Sequence, residues 1–169
     1  MKPLEHAATM ARYNRWMNRK LYECSARLTD AQRKEDRGAF FRSIHGTLNH
    51  LLLADNIWMG RFQDRPFRAT NLAQELHADF AELRQARGAM DQRILDWAGA
   101  LTDAVLESEL RYTSIVNPQP RRMPMCLAVV HFFNHQTHHR GQITTLLFQC
   151  GIDPGVTDLM GLPLEESKA

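Results

Sequence analysis

The sequence predicts an all-α fold, an antiparallel four-helix bundle. Three observations carry this reading. Four long stretches place apolar residues at spacings of three and four, the period of one helix face. Only one short segment, between Glu109 and Pro124, has the composition of extended chain. No internal repeat and no linker interrupts the 169 residues, so residues 1–169 read as one domain.

The first helix spans about Leu4 to Leu28, with Met10, Tyr13, Met17, Leu21 and Cys24 on one side and Arg12, Arg15 and Arg19 on another. The arginine face reads as solvated, with an anion-facing surface as the alternative. Thr29 with Gln32 three residues on has the form of a capping box opening a short polar helix, and the mixed-sign run Arg33 to Arg37 reads as solvated. Ser43 is placed as N-cap of the second long helix, which Pro66 ends after about Asp64. Ile44, Leu48, Leu51, Asp55, Trp58 and Phe62 form one stripe on it, and Leu53 with Ile57 a second on nearly the opposite side. Two apolar faces predict burial between neighbours. The third long helix runs from about Leu72 to Leu101, marked by Leu76, Phe80, Leu83, Met90, Ile94 and Trp97. Gly88 inside it costs up to ~1 kcal/mol relative to Ala, which predicts a close packing contact there. Tyr112, Thr113, Ile115 and Val116 favour extended chain and Asn117-Pro118-Gln119-Pro120 a turn, so a short hairpin is expected. The fourth helix starts near Met125 and ends at Gly151, a C′ glycine.

Composition narrows the function classes. The chain holds 21 Lys+Arg against 19 Asp+Glu, and a net charge of +2 is too small to indicate nucleic acid or an anionic membrane as partner. A chain of this size buries about 70% of its unfolded surface, so a core forms without disulfides. No apolar run approaches the ~18 residues that span a bilayer. Met1-Lys2-Pro3-Leu4-Glu5-His6 has no apolar signal region, and a cytoplasmic protein is the expectation. Cys24, Cys126 and Cys150 show no C-x-x-C pair; each is expected to be a small buried hydrophobe.

Histidine is the informative residue: four of the eight fall between His131 and His139. At 100° per residue His135 and His139 lie one turn apart on one helix face, where a single metal ion can accept both imidazoles. His131 extends that stripe backwards, and Gln142 and Leu146 extend it forwards. His50 lies deep in the second helix, where a neutral ring needs partners for its nitrogens. A metal shared with His135 and His139 would supply one; an ordinary hydrogen-bonded core histidine is the alternative, and spacing leaves both open.

Tyr13-Asn14-Arg15-Trp16-Met17-Asn18, Leu48-Asn49-His50-Leu51-Leu52-Leu53-Ala54-Asp55 and His131-Phe132-Phe133-Asn134-His135-Gln136-Thr137-His138-His139-Arg140-Gly141-Gln142 resemble the DinB (damage-inducible) family, in order and over nearly the whole chain. The resemblance implies a four-helix bundle with a long crossover connection, usually a homodimer, with three histidines holding a divalent metal, commonly zinc or nickel. Motif matching places those ligands on His50, His135 and His139. His131 and His138 belong to the motif without matching ligand positions, and orienting or structural roles are expected for them. The related YfiT-like and mycothiol-dependent enzymes suggest metal-assisted thiol transfer.

A metal-dependent enzyme is therefore the first functional reading, because three protein nitrogens leave a coordination position open. It would act as a thiol transferase or a hydrolase on a small thiol or other small molecule; no general base is placed by motif. A non-catalytic stress-response or binding module with a structural metal is the alternative. A pocket beside the His135–His139 face is expected, lined by Tyr13 and Trp16 or Met17 of helix one and by helix two around His50. The dimer interface is expected on helices one and three. Asp55 is expected to anchor an arginine or a helix end, Arg140 to sit in an ion pair, and the Arg140-Gly141 step to allow close helix packing.

Overall fold

The computed structural model describes residues 1–115 and 118–163. Its elements in chain order are α1 (Pro3–Ala26), α2 (Asp30–Lys34), α3 (Ile44–Phe62), α4 (Phe80–Gly99), α5 (Asp103–Leu106), β1 (Glu109–Thr113), β2 (Pro120–Pro124) and α6 (Met125–Gln149), followed by a 3-10 turn at Leu159–Gly161. The fold is all-α: α1, α3, α4 and α6 form the bundle, and the two strands make a small antiparallel hairpin pairing Leu110 with Met123. Val116 and Asn117, expected in that hairpin, lie outside the described residues.

Local signals set the helix ends. Thr29 and Gln32 make the expected capping box. The Ser43 hydroxyl accepts from the Gly46 N–H at the start of α3. After α6, Gly151 at φ +74° lets its own N–H reach the Phe148 carbonyl and the Ile152 N–H reach Leu147, a Schellman motif that satisfies the last carbonyls.

The third long helix starts late. Residues 72–79 are not helical, and α4 begins after the N-cap Asp79, whose carboxylate accepts from the Glu82 N–H. The reason lies in another helix. The Asn49 side chain of α3 accepts from the Leu76 and His77 N–H groups and donates to the His77 carbonyl, taking backbone groups that a helix would use internally. Tertiary hydrogen bonds override the apolar periodicity there. Gly88 also departs from expectation: a Cβ built on it meets nothing within 4 Å, so no close contact explains it, and the same holds for Gly141. Cys126 is exposed, against the buried role expected, while Cys24 and Cys150 are partly buried.

Around the bundle each long helix touches two others: α1 packs on α4 and α6, and α3 packs on α6 and α4. Thus α1 and α3 lie diagonally opposite, as do α4 and α6, and the α1–α3 and α4–α6 connections both cross the bundle. Phe132 and Phe133 of α6 fill the core at 1% exposure each; burying one such ring stabilises by about 1.5–3 kcal/mol.

Polar residues occupy the middle of that core. Asp55 of α3 accepts from Arg87 of α4 at 2.5 Å and from Gln136 of α6 at 2.6 Å. Arg87 also pairs with Asp91 at 3.0 Å, and Asn18 of α1 donates to Asp91 at 2.8 Å. Burial pushes the Asp55 and Asp91 carboxyls up, and the Arg87 guanidinium between them acts in the opposite sense. Asp55 thus anchors an arginine, as expected. The network ties all four long helices together at one height and fixes the rotation of α6 against α3. Gln136, whose side chain reaches Asp55, immediately follows His135.

Candidate metal centre

Three imidazoles meet where α3 faces α6. The His135 Nε2 lies 3.4 Å from the His50 Nε2 and 3.1 Å from the His139 Nε2. His50 and His139 are buried and His135 is half-buried. Among the described residues they are the group of His, Cys, Asp and Glu side chains placed to share an ion, with no carboxylate or thiol joining them.

The other ring nitrogens show how this cluster is set. The His50 Nδ1 donates to the Leu72 carbonyl at 2.8 Å, which can only accept. The His139 Nδ1 donates to the Gln142 side-chain oxygen at 2.7 Å. Both rings therefore carry their hydrogen on Nδ1 and turn a bare Nε2 lone pair towards His135. A proton on the His135 Nε2 can serve only one of those two neighbours, so the three nitrogens cannot satisfy one another. A cation accepts all three. Four-coordinate zinc with nitrogen ligands at 2.0–2.1 Å spaces those nitrogens by about 3.3 Å, close to the two separations seen. The donor set fits a divalent ion of the zinc or nickel type.

Electrostatics prepare the same chemistry. Burial drives the His50 pKa down from 6.5 to about 4. Burial and the neighbouring rings take that of His135 down from 6.5 to about 3. Burial lowers His139 as well. All three are neutral at physiological pH, the form that ligates a metal.

Aromatic side chains wall the cluster. Phe41 stacks on His50 with ring centroids 3.7 Å apart and meets His139 edge-on at 5.5 Å. Its placement depends on Gly46, whose Cβ position lies 2.2 Å from the Phe41 carbonyl oxygen, so any side chain there would collide with it. On the other side Trp58 packs against His131 at 4.9 Å, and His131 lies 6.0 Å from His135. His138 is exposed; its ring contacts the Gln142 amide, which in turn holds His139. Each therefore touches a member of the cluster or its support, and neither joins the three converging nitrogens.

The cleft beside the histidines is not the one expected. A cleft of about 260 Å³ reaches His50 and His135 from the side of Trp58, Arg61, Tyr112 and His131, with no residue of α1. Tyr13 and Met17 line a separate cavity of about 500 Å³ between α1, α6 and residues 157–159. The helix period explains the difference. Phe133, Thr137 and Arg140 turn to α1, while His135 and His139 turn to α3, which lies diagonally across from α1. Arg140 makes no ion pair among the described residues: it donates to Asn14 and Thr137 and sits over the Tyr13 ring. Arg61, Phe41, Leu72 and Asn49 were not marked as site residues by sequence reasoning. Only Asn49, adjacent to His50 on a buried helix, gave a signal that could have been followed.

Comparison with known proteins agrees with this geometry. The family model described as "DinB family" matches residues 3–167. A relative named "Protein DinB" from Bacillus subtilis (strain 168) is 25% identical, the match covering 91% of this chain and 91% of that protein. With the match running nearly end to end and the histidines of the motif gathered at one point of an all-α bundle, this chain belongs to the DinB family.

Proposed function

We propose that His50, His135 and His139 ligate a divalent metal ion, zinc or nickel, and that the protein is a metal-dependent enzyme acting on a small thiol or other small molecule. The observation that supports this most is the pair of Nδ1–H donations, to Leu72 and to Gln142, which leave two bare Nε2 atoms facing a third. A closed structural site would carry four protein ligands, and among the described residues three side chains converge here, beside a cleft. A divalent ion held there supplies Lewis acidity, which makes a nucleophile of a small thiol or a water near neutral pH. The chain's own groups do the rest. Leu72 and Gln142 fix the ligand rings, His138 positions Gln142, Phe41 and Trp58 exclude water, and His131 forms the cleft wall next to His135. Thiol transfer and hydrolysis both fit this arrangement.

The reading includes a homodimer and a reducing, cytoplasmic setting. Leu127, Val130 and Phe148 are 55%, 50% and 65% exposed, within about 60° of one another around α6. They support a self-association face on that helix. Three free cysteines fit a reducing compartment. Among the described residues no helix is long and apolar enough to cross a membrane.

Titration with zinc, nickel and cobalt tests the centre. One equivalent of ion per chain should bind, and His135→Ala should lose it. Cobalt-loaded protein should develop a sulfur-to-metal charge-transfer band when a small thiol is added. Unchanged metal content in His135→Ala would refute the ligand set, and absence of any thiol response would remove the thiol-transfer reading.

A further inference from the structure

Arg61 lines the same cleft and is not used by the arrangement above. It projects from α3, three residues after Trp58, and its guanidinium lies 4.5 Å from the Trp58 ring centre and 4.1 Å from that of Tyr112. Both rings lie against the guanidinium, and among the described residues no side chain or carbonyl accepts from its N–H groups. The five donors of the guanidinium therefore stay available to oxygen atoms in the cleft. Several arginines of the chain have acidic partners: Arg33 has Asp30, Arg42 has Asp36, Arg87 has Asp55 and Arg111 has Glu109; Arg140, which has none among the described residues, donates instead to Asn14 and Thr137. Arg61 has none among the described residues, although it is half-buried and burial disfavours its charge. A half-buried, ring-clamped cation without an anion is costly to keep for packing alone.

The cleft also limits what the anion is. Among the described residues Arg61 is its one cationic side chain; Ala54, Ile57, Leu72 and Ile115 make much of the remainder apolar. One planar fork matches one planar carboxylate in bidentate contact, and a single positive charge balances a single negative one. A volume of about 260 Å³ lies below that of drug-sized pockets and suits a short chain.

We propose that Arg61 anchors the carboxylate of a small organic acid whose other end reaches the three histidines. The second half of this rests on the metal reading above; the anchor itself rests on Arg61, Trp58 and Tyr112.

The test uses zinc-loaded full-length protein and two matched series, ω-mercaptocarboxylates from mercaptoacetate to 6-mercaptohexanoate and the uncharged ω-mercaptoalcohols of equal length, measured by calorimetry. At one chain length the acid should bind about tenfold to a hundredfold tighter than the alcohol, the range for a hydrogen bond to a charged group. Arg61→Met should bring acid and alcohol within about twofold, Arg61→Lys should keep part of the preference, and zinc titration should be the same in all three proteins. Equal binding of acid and alcohol by the wild type, or a preference that survives in Arg61→Met, overturns the anchor. A second arm separates the two readings: chelator-treated protein is probed with pentanoate and 1-pentanol by saturation-transfer NMR. If pentanoate contact depends on Arg61 while zinc fails to bind, the anchor stands and the metal reading falls. If zinc binds through the histidines and neither arm shows a carboxylate preference, the metal reading stands and the anchor falls.

Discussion

Replacing Arg87 by Met should destabilise the bundle more than removal of any surface ion pair, and by an amount that depends on pH. Arg87 is 3% exposed, and its partners Asp55 and Asp91 are 1% and 3% exposed. In Arg87→Met the two carboxylates stay buried, with Gln136 and Asn18 still donating to them but with no contacting cation. Breaking a buried pair in this way costs about 3–5 kcal/mol. For a chain of this size each kcal/mol lowers Tm by about 2–4 °C, so a fall of about 6–20 °C is expected at neutral pH. The pH dependence has a definite sign. Burial already raises both carboxyls above their ordinary value of 3.8, and loss of Arg87, which lowers them, raises them further. A carboxyl whose folded pKa is raised binds more protons folded than unfolded, so the variant loses stability as pH rises through that range. Its deficit against the wild type should therefore be smaller at pH 5 than at pH 7.5. Urea unfolding at both pH values measures it. The triple variant Asp55→Asn/Arg87→Met/Asp91→Asn removes the three charges of this network, keeps amides in place, and should recover most of the loss. A deficit below about 1 kcal/mol at pH 7.5, or one equal at both pH values, would refute the reasoning.

Three further outcomes follow from the site. Gly46→Ala gains up to ~1 kcal/mol of helix propensity but drives a Cβ to 2.2 Å from the Phe41 carbonyl. The overpacking cost of about 1–3 kcal/mol should win, with weaker zinc binding because Phe41 stacks on His50; a more stable variant with unchanged zinc affinity would contradict this. Asn49→Ala removes the acceptor of the Leu76 and His77 N–H groups, and should cost about 1–3 kcal/mol and speed hydrogen exchange at those two amides. In metal-free protein, His50 is neutral when folded down to a pKa of about 4 against 6.5 unfolded. Its contribution is present above 6.5 and lost as pH falls towards 4, so the acid limb of stability should be shallower in His50→Gln than in the wild type.

What could be read from the chain depended on how local each signal was. Thr29, Ser43 and Gly151 act on backbone groups within a turn of themselves, and the structure shows all three in the expected roles. The His135–His139 pair is equally local, since one helical turn separates the two. The start of α4 was not legible, because the apolar marks from Leu72 onwards carry no trace of the Asn49 side chain that takes the Leu76 and His77 amides from another helix. Asn14, Asn18, Arg87 and Asp91 gave no core signal for a related reason. A polar residue at a buried position breaks the pattern by which buried positions are recognised, and only its partners, on other helices, show why it is tolerated. The cleft was placed on the wrong side because its position depends on which helices are diagonal, a property of the assembled bundle. Arg61 combines both difficulties. It is a polar residue near the end of a helix, and the ring that completes its clamp, Tyr112, comes from the β-hairpin far along the chain. The ligand rings themselves follow the same division: the spacing of His135 and His139 announces a shared ion, but the carbonyl of Leu72 that aims the His50 ring at it belongs to the segment the periodicity assigned to a helix. Had residues 72–79 been helical, that carbonyl would have been committed within its own helix, and the His50 Nε2 would have lost the partner that turns it towards His135.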